Sequence, residues 1–236
     1  MELSFVTWNI WFDDYQRQRR TQVLVNEIME YSPDFVALQE VTPDTYENCF
    51  KKITNYYRIG DVTQSYDTLI LSKHPCLNWS RYVLPLTGMG RNVLLGDFSL
   101  PSGKVLKVGT FHLESVFTVQ GEELKKRQLQ FIYDITPPNV ILMGDTNLTT
   151  QLETRFVDLY EKIGLPKAYE YTYSGSMNKN IRNKKMNSRV DRIYIKQEYK
   201  IKQFFLLGER ESFYHDLKNQ YYPPSDHYGI FTKLQI

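Results

Sequence analysis

Gly144–Asp145–Thr146–Asn147–Leu148 follows directly on Val140–Ile141–Leu142–Met143, and the reading of this junction decides the fold. Four consecutive apolar residues suit a short strand buried on both faces. Open α/β sheets bind their ligands at the carboxyl ends of strands. Residues two apart on an extended chain point the same way, so Asp145 and Asn147 are placed to face one bound group. By itself Gly-Asp-Thr-Asn is equally a turn, because all four residue types favour turns. The other strand ends of the chain decide between the two.

Working outward, the same arrangement recurs. Residues 2–9 alternate as a strand ending at Asn9, and Phe35–Val36–Ala37–Leu38 is a second buried-type strand ending in Gln39–Glu40. Strands over 92–100 and 104–113 form a hairpin through Pro101–Ser102–Gly103, and the second delivers His112, Glu114 and Ser115. Val190–Asp191–Arg192–Ile193–Tyr194–Ile195 is a strand with an acid inside it. Pro223–Pro224 break the chain before Ser225–Asp226–His227, and a last strand follows over 228–236. Shorter strands are expected at 68–71 and 203–207. Helical spacing predicts helices over about 19–31, from an N-cap at Thr42–Pro43 to about Ile53, over 121–135, and over 152–163 (Leu152, Phe156, Leu159, Ile163), the last stopped by Gly164. Arg17, Arg19 and Arg20 read as a solvated face, and the polar stretch 174–188 as a mobile loop. With no repeat or linker in view, the expectation is one domain over 1–236 of class α/β, with two sheets lying between helices.

Composition bounds the rest. A chain of 236 residues is long enough for a proper core. It has no apolar run long enough to span a membrane and no basic n-region with a cleavage site. With only Cys49 and Cys76 there is neither a disulfide framework nor a zinc pattern. An intracellular protein, nuclear or cytoplasmic, is the expectation. A net charge of +2 permits an anionic partner without arguing for one, and some of the 18 tyrosines suit base stacking.

Asn9, Glu40, His112, Asp145, Asn147, Asp191, Asp226 and His227 thus all lie at or near strand ends, where one cleft can collect them. Each has a bland alternative as a surface pair or a solvated acid; Asp191 is the hardest to dismiss, since a buried carboxylate needs a partner. Such a cleft has carboxylates for a hard cation such as Mg²⁺. It has a further Asp to take a proton from water, and a His that an Asp can orient. It has no G-x-S-x-G and no glycine-rich phosphate loop. The set points to metal-assisted hydrolysis of a phosphate ester.

Thr7–Trp8–Asn9, Leu38–Gln39–Glu40–Val41, His112–Leu113–Glu114–Ser115, Gly144–Asp145–Thr146–Asn147–Leu148 and Ser225–Asp226–His227 occur in the order of the endonuclease/exonuclease/phosphatase superfamily, which the chain resembles from residue 3 onward. Tyr66-x-Thr68, Met89-x-Arg91–Asn92, Thr172–Tyr173 and Arg189-x-Asp191–Arg192–Ile193 resemble its 5′-tyrosyl-DNA phosphodiesterase branch, enzymes that free DNA 5′ ends from a covalently attached topoisomerase tyrosine. The resemblance implies a four-layer α/β sandwich: two mixed sheets packed face to face and flanked by helices. It implies Mg²⁺, with Mn²⁺ as a substitute, on Glu40 with Asn9 and Asp226. Asp145 would orient and deprotonate the attacking water, Asn147 and His112 would hold phosphate oxygens, and His227 buttressed by Asp191 would stabilise the phosphoryl charge. Tyr66, Arg91, Glu114, Ser115, Leu148, Tyr173 and Val190 would contact substrate. The partners implied are DNA 5′ ends carrying tyrosine or peptide, with the protein a monomer and no membrane involved. The chain would correspond to the catalytic domain alone, without the ubiquitin-binding domain of many relatives. Other branches — abasic-site endonucleases, general nucleases, deadenylases, lipid or inositol phosphatases — share the main motifs, and a binding module without turnover is the rival of another class. Five positions depart from the branch: Thr149 replaces an Arg, Trp11 an acid, Val116–Phe117 a Thr-Arg and Tyr228 a Trp. These bear on grip of DNA more than on the chemistry.

Overall fold

The computed structural model describes residues 1–149, 154–210 and 213–236. Among them, two mixed six-stranded sheets form the frame. The strands are Glu2–Asn9 (β1), Phe35–Val41 (β2), Tyr57–Ile59 (β3), Asp67–Ser72 (β4), Cys76–Val83 (β5), Asn92–Ser99 (β6), Val105–His112 (β7), Val140–Asp145 (β8) and Val157–Asp158 (β9). After the two-residue strands Tyr173–Ser174 (β10) and Asn187–Ser188 (β11) come Asp191–Ile195 (β12), Lys200–Leu207 (β13), Phe213–His215 (β14), Gln220–Tyr222 (β15) and Gly229–Gln235 (β16). The first sheet runs β13-β16-β1-β2-β4-β3 and the second β5-β6-β7-β8-β12-β9. The helices are Arg17–Tyr31 (α1), Pro43–Asn48 (α2), Val119–Ile135 (α3) and Leu159–Lys162 (α4).

The apolar residues sort into three clusters that define four layers. Phe5, Phe35, Ala37 and Ile70 of the first sheet pack against Leu94, Val108, Ile141, Met143 and Ile193 of the second. The outer face of the first sheet (Val6, Trp8, Val36, Leu38) is covered by Leu24, Val25 and Ile28 of α1 with Phe50 and Ile53. The outer face of the second (Val93, Phe111, Leu142, Tyr194) is covered by Leu129 and Ile132 of α3. Strands buried on both faces are the reason that β2 and β8 read as continuous apolar runs rather than as alternation.

Several local expectations need correction. Leu152 of the predicted helix over 152–163 lies outside the described residues, and Phe156 precedes the short α4. Asp158 caps that helix, accepting from the Tyr160 N–H at 3.0 Å, so the helix cannot begin earlier. Arg20 is no part of a solvated face: it is fully buried. The loop 174–188 is pinned rather than free, with Asn178 donating to the Ser225 carbonyl at 2.9 Å and Asn180 to that of Pro223 at 2.9 Å. Strands β3 and β5 were missed; β5 is an edge strand with Leu77, Trp79 and Val83 exposed, so it carries no buried alternation to read.

Topology alone brings the candidate residues to one end of the sandwich. β1 and β2 are parallel with Asn9 opposite Gln39. β7 and β8 are parallel with His112 opposite Asp145. β12 runs antiparallel to β8 and begins at Asp191, opposite Asp145. β16 runs antiparallel to β1, so the Ser225–His227 segment that precedes it reaches the same end. Gly144 is needed for this closeness: a Cβ there would stand 2.0 Å from the Phe111 carbonyl oxygen on β7.

Candidate active site

Asp145 is the hub. Asn147 donates its N–H to Asp145 Oδ1 at 2.8 Å, and the Asn9 amide donates to Oδ2 at 3.0 Å, joining the first sheet to the second. His112 Nε2 and His227 Nε2 stand 3.4 and 3.9 Å from that same Oδ2. Burial works against the charge of Asp145. The two imidazoles, the Asn147 N–H and the Asn9 amide outweigh it and hold the carboxyl below its usual range.

The two histidines are in opposite states. His112 is buried, and burial together with the adjacent Arg91 holds it well below the ordinary histidine range. Arg91 Nη1 contacts His112 Nδ1 at 2.7 Å, and Nε2 lies 3.0 Å from the Asn147 amide nitrogen and 3.4 Å from Asp145 Oδ2. For His227, burial is again unfavourable to the cation, but Asp191 and Asp226 prevail and raise it well above that range. Its Nδ1 donates to Asp191 Oδ2 at 2.8 Å. Asp191 is held from behind by Thr172, whose hydroxyl oxygen accepts the N–H groups of Val190 and Asp191 at 3.1 and 3.0 Å.

Glu40 and Asp226 supply the unneutralised negative charge. Burial raises the Glu40 carboxyl, while the Phe12 N–H (3.0 Å from Oε2), His227 and the Asn9 amide oppose the rise. Burial likewise pushes Asp226 up to about 7, His227 resisting and the nearby Glu40 adding to it. Two carboxyls that resist ionisation through desolvation, with Glu40 adding to the rise of Asp226, are a fit for a hard divalent cation, which takes one or two carboxylates with water and phosphate oxygens. Asn9, whose side chain also bonds Glu40, adds a neutral oxygen donor. Asp145, Asp191 and His227 also offer ligand atoms within 4.8 Å of one another and are able to hold a metal. Their own geometry is that of a hydrogen-bonded chain, because His227 Nδ1 is already engaged by Asp191.

The backbone at these positions is unusual. Glu40 and Asn147 have φ of 61° and 49°, and the β2–β4 pairing is irregular between Leu38 and Val41. The left-handed turn at Glu40, where a side chain other than Gly, Asn or Asp is costly, swings its carboxylate out of the strand's alternation.

Of the expected substrate contacts, Tyr66 and Tyr173 are half-buried and Arg91 is buried beside His112. Phe12 stacks on Tyr66 with ring centroids 4.9 Å apart, and the Arg91 guanidinium lies 5.2 Å from the centroid of the Tyr66 ring, so these three form one platform. Tyr173 meets His227 edge-on at 5.0 Å. Ser115 stands beside Arg91, 3.5 Å from Nη2. Glu114 is spent on bracing, accepting from the Thr87 hydroxyl and the Gly88 N–H at 2.8 and 3.0 Å. Leu148 and Val190 are buried, Leu148 within the cluster beneath α3. Residues that sequence reasoning missed are bracing groups. Gln39 donates to Thr7 and Thr110 at 3.2 and 2.9 Å and so bolts the sheets together. Lys125 donates to the Asn147 carbonyl at 2.7 Å. Arg20 is the third. A polar side chain in an otherwise apolar strand was the available signal for Gln39; helix position gave none for the two cations.

Comparison with known proteins identifies the family. Tyrosyl-DNA phosphodiesterase 2 of Xenopus tropicalis is 31% identical over 252 residues, covering 99% of this chain and 66% of that protein. The Homo sapiens protein of the same name is 31% identical over 253 residues, covering 99% of this chain and 68% of its own length. The chain thus spans about two thirds of the curated relatives it matches. The crystal structure of D. rerio TDP2 with a single-strand DNA product superposes with a TM-score of 0.87 at 26% identity, covering 100% of this chain and 99% of the other. The model of the Endonuclease/Exonuclease/phosphatase family matches residues 6–227, a span that takes in every residue of the cluster around Asp145, and on that match the chain belongs to this family.

Proposed function

We propose that the protein is a divalent-metal-dependent phosphodiesterase that hydrolyses the bond between a tyrosine and a DNA 5′ end, leaving a 5′-phosphate. The observation that carries this reading is Asp145, anchored by Asn9 and flanked by one neutral and one protonated imidazole. Similarity to proteins named tyrosyl-DNA phosphodiesterase 2 over 99% of the chain supports the substrate. Glu40, Asp226 and Asn9 would hold Mg²⁺ or Mn²⁺, which when bound supplies positive charge to the phosphoryl oxygens.

The remaining roles belong to the chain itself. Asp145 orients the attacking water as a fixed acceptor; its lowered proton affinity makes it a weak base, so the proton passes to it as the new phosphorus–oxygen bond forms. His112 and Asn147 donate to phosphoryl oxygens. The imidazolium of His227, held by Asp191, stabilises the charge that builds there. A tyrosine phenol has a pKa of about 10, so its phenolate leaves with little help from an acid. The Phe12–Tyr66–Arg91 platform suits stacking of a terminal base and contact with its phosphate. The protein would act as an intracellular monomer, with residues 1–236 as one catalytic domain.

Incubation with Mg²⁺ and a single-stranded oligonucleotide bearing a 5′-phosphotyrosine, beside a matched abasic-site duplex, tests the reading. Release of tyrosine and a 5′-phosphorylated oligonucleotide from the first alone is the expected result. Cutting of the abasic duplex with the first substrate intact would assign the chain to another branch.

A further inference from the structure

Arg20 of α1 is fully buried, yet none of its hydrogen bonds goes to a carboxylate. Nε donates to the Tyr15 carbonyl at 2.9 Å, Nη1 to that of Pro224 at 3.0 Å, and Nη2 to those of Asp13 and Trp11 at 2.6 and 3.3 Å. The guanidinium lies 4.4 Å over the Trp11 ring. A planar fork with five N–H donors can gather several carbonyls at once in fixed directions; a lysine cannot.

The carbonyls gathered belong to two segments that carry the proposed cation site. The first is the loop after β1: the Trp11 N–H donates to Asn9 Oδ1 at 3.0 Å and the Phe12 N–H to Glu40 Oε2 at 3.0 Å. Trp11 takes a left-handed turn there, with φ 63°. The second is the segment ahead of β16: the Ser225 hydroxyl donates to the Asn9 carbonyl at 2.7 Å and accepts the His227 N–H at 3.1 Å, with Asp226 between them. One side chain therefore sets Asn9, Glu40 and Asp226 against one another through backbone carbonyls, with its charge also felt by Asp226 and Glu40. Residue 11 is also where the chain departs from the acid of its resemblance, and the ring that stands there instead is the one the guanidinium covers.

We infer that Arg20 is a positioning residue: its fork, seated on Trp11, holds the loop at 11–15 and the Pro224–His227 segment in the register in which Asn9, Glu40 and Asp226 converge on one cation. This rests on the proposed metal role of those three residues.

The test compares wild type with Arg20→Lys, which keeps the charge and loses the fork, and with Trp11→Ala, which removes the seat and leaves the arginine. Ile132→Ala, on the buried face of α3 at 0% exposure and outside the site, serves as a control for general destabilisation. Mn²⁺ binding is followed by calorimetry, and exchange of the Phe12 and His227 backbone N–H groups by hydrogen–deuterium exchange without metal. Arg20→Lys should weaken Mn²⁺ binding about tenfold and speed exchange of both N–H groups about tenfold, Trp11→Ala should do so to a smaller extent, and Ile132→Ala should do neither. Exchange in Arg20→Lys and Trp11→Ala equal to that of Ile132→Ala would overturn the assignment. Should wild type fail to bind Mn²⁺, the metal reading falls, and the exchange comparison still decides whether Arg20 holds the two segments.

Discussion

His227 presents one ring nitrogen to Asp191 at 2.8 Å and the other toward Asp145 at 3.9 Å, so a protonated imidazole spans two carboxylates. The proton that Asp191 keeps on the ring is therefore part of the site's ground state. Asp191→Asn should preserve the packing and remove the charge that holds that proton. Turnover of the phosphotyrosyl substrate should fall by a factor on the order of 10²–10³. The histidine titration, followed by NMR, should shift downward. An unmoved titration would show that Asp191 does not set the state of the ring.

Glu40→Gln separates chemistry from stability. The carboxylate is desolvated and its backbone is left-handed, so neutralising it removes a cost to the metal-free fold. The expected outcome is activity down by about 10³ or more, with a melting temperature in EDTA equal to or above that of wild type. A strongly lowered melting temperature would mean that Glu40 is a structural anchor instead.

Arg91 ties the stacking platform to His112. Arg91→Ala should raise KM about tenfold by loss of the Tyr66 stack and of a phosphate contact. It should also let His112 titrate closer to the ordinary histidine range, since the arginine beside Nδ1 helps to keep that ring neutral. A raised KM with an unchanged His112 titration would confine the role of Arg91 to the stack with Tyr66.

Without metal, stability should rise on mild acidification. Asp226, pushed up to about 7, binds its proton more tightly in the folded chain than in the unfolded one, where the value is about 3.9. Its ionisation thus destabilises the fold progressively as pH climbs between those limits and a little beyond. His227, raised well above about 6.5, contributes stability that is lost as pH rises through its folded value. Both act in one direction from pH 6.5 to 8. His112, held neutral, opposes them only below about 6.5, where the unfolded chain gains a proton that the folded one refuses. A melting temperature in EDTA higher at pH 6.5 than at pH 8, by roughly 5 °C given about 2–4 °C per kcal/mol, and flattened by saturating Mg²⁺, is expected. A melting temperature higher at pH 8 would contradict the assigned states.

How much of this was legible in the sequence differs by residue. β2 and β8 announced themselves because strands buried on both faces are continuous apolar runs, and Glu40 and Asp145 stand where those runs stop. His112 and His227 were found by their place at strand ends, but nothing linear shows that one is neutral and the other charged. That difference comes from Arg91 and Asp191, which lie 21 and 36 residues away in the chain. Arg20 looked like a surface charge because helical spacing cannot reveal that carbonyls from residues 11–15 and 224 fold over it. The 174–188 stretch looked loose because its anchors, Asn178 and Asn180, bond to backbone 43–47 residues further on.

The position of β16 bears on how the molecule comes into being. This strand follows all the other described strands in the chain, yet it lies between β1 and β13, one place in from the edge of the first sheet. During synthesis β1 and β13 must wait with bare edges until residues 229–235 have left the ribosome, and such edges invite pairing with the wrong chain. Asp226 and His227 arrive with the same segment. A chain that has not yet delivered them has Asn9, His112, Asn147 and Asp191 but lacks the imidazolium of His227 and one of the two carboxylates proposed to hold the cation.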